Sequence, residues 1–116
     1  MTKYEDMKHE FFSLLKSVGT RGYYIQPFLL AGKYEIETMH LREKLIEWAE
    51  ARLISLEVSS GNGFRPYTDW PNTDEFFEYG NKVGHVRVKL LAAGDEYLER
   101  LREIKHRPIG FEAKAG

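Results

Sequence analysis

The amino-acid sequence predicts an α+β domain in which a three-helix core is followed by a two-stranded β-ribbon and a closing helix. Three observations predict it. Apolar residues recur at helical period near the N-terminus and again in the middle of the chain. Two short segments, 53–59 and 86–90, alternate apolar and polar residues as half-buried antiparallel strands do. A last helical stripe follows the second of them. The 116 residues suit one domain around one core.

Between Thr2 and Val18, the side chains of Tyr4, Met7, Phe11, Leu14, Leu15 and Val18 share one stripe, widened by Phe12. Thr2 with Glu5 matches a capping box, and Gly19 stands where a left-handed C-terminal residue is wanted. Thr20-Arg21-Gly22 reads as a turn and Tyr23-Tyr24-Ile25 as a short β-prone stretch. Pro27 suits the first turn of a short helix through Leu30, which Gly32 is expected to end. A second long helix is expected from about Glu35 to Arg52, burying Leu41, Leu45, Trp48 and Ala49.

Leu53–Ser59 then reads as a strand with Ile54, Leu56 and Val58 on one side, broken by Ser60-Gly61-Asn62-Gly63. Its expected partner is the strand Val86–Leu90, which makes the intervening residues a long hairpin loop. Within that loop, Asn72 with Glu75 suits the cap of a single turn through Phe76, Phe77 and Tyr79. The last helix is expected from about Ala93 to Ile104, with Leu98 and Leu101 buried. Pro108 ends it, and residues 108–116 are expected to form a loose tail.

Composition bounds the function. Hydrophobic residues make up 42% and charged residues 30%, with both signs interspersed, which is a globular balance. No cysteine is present, so disulfides, thiolate metal sites and thiol nucleophiles are excluded. A reducing cytoplasm is the expected location. The N-terminus turns acidic at Glu5 and Asp6 and has no apolar core of signal-peptide length. The longest apolar run, around Phe28-Leu29-Leu30-Ala31, is far below the ~20 residues that span a bilayer. A net charge of -1 gives no global argument for nucleic acid, so local patches must supply it.

Two segments carry a resemblance. Trp48-Ala49-Glu50-Ala51-Arg52-Leu53-Ile54 resembles the A-x-x-G-L-I exit from the recognition helix of a winged helix-turn-helix into its first wing strand. Val86-Arg87-Val88-Lys89-Leu90-Leu91-Ala92-Ala93-Gly94-Asp95-Glu96-Tyr97-Leu98 resembles the L-T-x-x-G-x-x-[FYL]-L stretch joining the second wing strand to the closing helix, common in MarR-like and PadR-like regulators. Arg52 replaces the usual Gly, and Leu91 stands where Thr is common; a missing Thr cap costs roughly 1 kcal/mol. The resemblance implies a winged helix with an unusually long wing loop, employed as a homodimeric, DNA-binding transcriptional regulator.

On that frame the helix from Thr38 to Arg52 is the recognition helix, with Thr38, His40, Arg42 and Lys44 as candidate contacts to double-stranded DNA. Glu35, Glu37, Glu43, Glu47 and Glu50 crowd the same region and oppose phosphate neutralisation. Arg65, Lys82, Arg87 and Lys89 are candidate wing contacts, and Arg87 and Lys89 point to one strand face. The competing reading of those two is an exposed strand blunted by charge.

The aromatics Phe64, Tyr67, Trp70, Phe76, Phe77 and Tyr79 are candidates for a dimer or partner interface. Equally, the loop folds back and caps its own satellite core. Lys105-His106-Arg107 complements the dipole of the helix it follows. His9, His40, His85 and His106 have no metal-ligand spacing, and no P-loop, G-x-S-x-G or dinucleotide motif occurs. Neither catalysis nor a metal or other cofactor is expected. Two functions stand: a DNA-binding regulator, or a non-catalytic winged-helix module for protein–protein contact.

Overall fold

The computed structural model describes residues 3–106. Helix α1 (Lys3–Val18) leads through a 3-10 turn into β1 (Tyr23–Ile25), followed by α2 (Pro27–Lys33) and α3 (Thr38–Glu50). Next come β2 (Ile54–Ser60), β3 (Gly63–Pro66), a 3-10 turn at Tyr67–Asp69 and α4 (Thr73–Val83). Strand β4 (Val86–Leu90) and helix α5 (Ala92–His106) close the order. The Thr2 cap and the tail lie outside the described residues. Among those described, no helix is long and apolar enough to cross a membrane.

The strands form one antiparallel sheet in the order β1-β4-β2-β3. Residue alternation divides its faces. Ile54, Leu56 and Val58 of β2 and Val86 and Val88 of β4 are buried with the helices. Tyr24, Arg87, Lys89, Glu57 and Phe64 occupy the opposite face. The core joins Met7, Phe11, Phe12 and Leu15 of α1 to Leu41, Leu45 and Trp48 of α3, with Phe12 edge-on to Trp48 at 5.2 Å between centroids. Helix α1 packs on α5 of the same chain, where Phe12 meets Tyr97, and Lys16 reaches Asp95 at 2.6 Å.

Two expectations are corrected. The ribbon is part of a four-stranded sheet, because β1 pairs with β4 and β3 extends β2 on its other side. The expected hairpin loop is a strand, a turn and an eleven-residue helix. The Asn72 cap is present, its Oδ1 accepting from the Glu75 N–H at 2.8 Å, but the helix it starts continues to Val83. Gly80 makes that continuation possible at the sheet, since a Cβ there would sit 2.7 Å from the Val86 Cγ2.

The ends of α2 and α3 share one device. The Ile36 N–H donates to Ala31 O and Glu35 N–H to Gly32 O, closing α2 beyond Gly32. Leu53 N–H donates to Trp48 O and Arg52 N–H to Ala49 O, closing α3. Both are Schellman turns, which place one residue in the left-handed region. Charged side chains occupy those places, Glu35 at φ 58° and Arg52 at φ 63°. Glycine is absent where the backbone favours it.

Candidate functional site

Helix α3 buries Leu41, Leu45, Trp48 and Ala49 and turns Met39, His40, Glu43, Glu47 and Glu50 outward. Of the cations expected to read DNA, Arg42 does not reach solvent freely. Its side chain is 15% exposed, its guanidinium carbon stands 5.1 Å from the Phe77 ring centre, and its Nη2 is 3.9 Å from Glu78 of α4. Lys44 is half-buried with its Nζ 3.5 Å from Glu47, and Thr38 is half-buried at the first turn. Helix α4 therefore stands beside α3 at Arg42, while Met39, His40, Glu43, Glu47 and Glu50 stay exposed.

Between these helices runs a groove of about 380 Å³. Met39, Ile46 and Phe77 give it an apolar lining, and Glu43, Glu47 and Asp74 flank them. Met39 is 55% exposed. Among the described residues, neither Glu43 nor Asp74 has an ion-pair partner.

Arg87 and Lys89 share the open face of the sheet, as alternation requires, yet both converge on one carboxylate. Arg87 Nη2 is 2.9 Å from Glu57 Oε2 and Lys89 Nζ 3.4 Å from Glu57 Oε1. The Phe64 ring covers the guanidinium at 3.5 Å. Burial is the largest single influence on Arg87 and opposes its charge, but the hydrogen bonds and charges of Glu57 and Tyr24 together outweigh it and hold the pKa above its ordinary value. Gly22 lets the chain pass here, since a Cβ would meet both the Arg87 and the Lys89 stems at 2.8 Å.

Arg65 pairs opposite Val58, on the other face of the sheet from Arg87. It lies over Trp70 at 4.5 Å and beside Asp69 at 3.8 Å. Lys82 is exposed in the last turn of α4. The eight candidate DNA contacts are thus distributed over α3, two faces of the sheet and the end of α4, with five of the cations turned onto carboxylates and rings.

The six candidate interface aromatics divide. Phe76 and Phe77 are buried in the main core, and Tyr67, Trp70 and Tyr79 pack half-buried against it. Trp70 meets Tyr79 at 4.8 Å and Phe76 at 6.5 Å between ring centres. Phe64 is 36% exposed, but its ring lies on Arg87. Among the described residues the largest apolar exposure lies elsewhere, on Phe28 at 70% and Leu29 at 60% in α2. The signal for these was the apolar run 28–31, since a seven-residue helix cannot bury every side of itself.

Among the described residues no group of three or more His, Asp and Glu side chains is disposed to hold a metal ion. No protein-family model matches the chain, and no curated protein or solved structure shows significant similarity to it.

Proposed function

We propose that this chain is a non-catalytic, winged-helix-like domain that binds another protein. The winged-helix reading is supported by the order helix, strand, helix, helix, strand and, after β3 and α4, a returning strand β4 that pairs with both β1 and β2. The protein-binding reading rests on the outward face of α3. An exposed methionine stands there among Glu43, Glu47 and Glu50, and Arg42 is spent on Phe77 and Glu78. Affinity for DNA comes largely from cations that neutralise phosphates, and this face repels them. Exposed apolar side chains such as Phe28, Leu29 and Met39 suit the buried centre of a protein interface.

Two measurements test the reading. Fluorescence anisotropy of a labelled DNA duplex, titrated from low to physiological salt, is expected to show no salt-steep binding. Steep salt-dependent binding overturns the proposal in favour of a DNA-binding regulator. Affinity capture with the wild type and with Phe28→Ser/Leu29→Ser is expected to differ in at least one retained protein, and identical retention counts against a partner on α2. A second copy of the chain falls under the same reading, and concentration-dependent sedimentation lost in that variant would identify it.

A further inference from the structure

We propose that the groove between α3 and α4 receives a basic amphipathic helix from a partner protein. The inference rests on the protein-binding reading and adds the chemistry of the partner. Its lining is apolar where the helices approach: Phe77 closes the floor, Ile46 flanks it and Met39 stands exposed at one end. Amphipathic helices dock in such grooves through apolar anchors spaced three and four residues apart.

The rim decides the charge of the occupant. Glu43 and Glu47 line one side from α3, and Asp74 lines the other from the first turn of α4. The two cations nearby are already engaged: Arg42 by Phe77 and Glu78, Lys44 by Glu47. An apolar floor between Glu43 and Glu47 on one side and Asp74 on the other matches a segment whose leucine-type anchors are flanked by Lys or Arg. The same rim disfavours an acidic segment by like-charge repulsion and a nucleic acid by its phosphates.

The test uses a fluorescein-labelled helical peptide of Leu and Lys, with Leu at helical spacing, and its counterpart with every Lys replaced by Glu. The intact protein is expected to bind the Lys peptide and not the Glu peptide. Glu43→Lys/Asp74→Lys is expected to weaken binding at least tenfold, and Met39→Ser to weaken it severalfold. Asp6→Lys/Glu103→Lys makes the same charge change on α1 and α5 and is expected to leave the affinity nearly unchanged. Absence of binding to the Lys peptide overturns the groove proposal. So does an equal loss in both double variants, which shows attraction by overall charge alone. If the peptide fails while duplex DNA also fails to bind, only the groove is refuted; salt-steep DNA binding refutes the protein-binding reading itself.

Discussion

The guanidinium of Arg42 lies over the ring of Phe77, 5.1 Å from its centre, and joins α3 to α4 across the groove. The accompanying carboxylate contributes less. Glu78 is 3.9 Å away with a 70% exposed side chain, so solvent screens the pair. Arg42→Ala is expected to lower unfolding stability by about 1 kcal/mol, whereas Glu78→Gln costs under about 0.5 kcal/mol. Chemical denaturation of both variants checks the ranking, and the reverse order would make the ion pair the real link.

Glu57 is the acceptor for two cations on the open sheet face, and its own side chain is 15% exposed. Glu57→Ala leaves Arg87 and Lys89 adjacent without compensation and is expected to cost about 2 kcal/mol. A cycle with Arg87→Ala should return a coupling of about 1 kcal/mol. Additive losses would show that the three charges act independently.

Arg52 holds a left-handed backbone at the end of α3. The conformation costs a side-chain-bearing residue about 1–2 kcal/mol, and glycine loses about 0.5–1 kcal/mol of extra chain entropy on folding. Relief exceeds the entropy. Arg52→Gly is therefore expected to stabilise by about 0.5–1 kcal/mol, read as a raised denaturation midpoint with unchanged slope.

Burial, and then the hydrogen bond from its hydroxyl to Glu10 at 2.6 Å, raise the Tyr34 pKa well above its ordinary value near 10. The folded state holds this proton after the unfolded chain has released it. The resulting stability is present below about pH 10 and falls as pH rises further. Tyr34→Phe should flatten the alkaline loss of stability, though not abolish it, because burial raises Tyr67 as well. An unchanged alkaline slope would sink the assignment.

Much of the local structure was legible because single residues encode it. Gly19 at φ 65°, Pro27 at the start of α2 and the Asn72 cap stand where their chemistry placed them. Strands β2 and β4 were readable from alternation, as was their pairing. Helix α4 was legible only as its first turn: Phe76, Phe77, Gly80 and Val83 share one side of it, but a buried glycine carries no apolar signal. Phe76 and Phe77 are buried there among the turn aromatics and Arg42 of α3. The groove escaped for a related reason. It joins residues of α3 to residues of α4, and no local period records a contact between distant segments. Nor does residue type reveal that Arg42 is turned inward or that Arg87 and Lys89 share one acid.

The sheet ends on one side in the three-residue β1 and on the other in β3, whose last residue is Pro66. A three-residue margin gives an added strand few hydrogen bonds, and proline withholds a donor at the opposite margin. Neither border is a template for endless strand addition. The protein should therefore resist fibre growth even when crowded, and remain dispersed while it displays exposed apolar residues on α2 and α3.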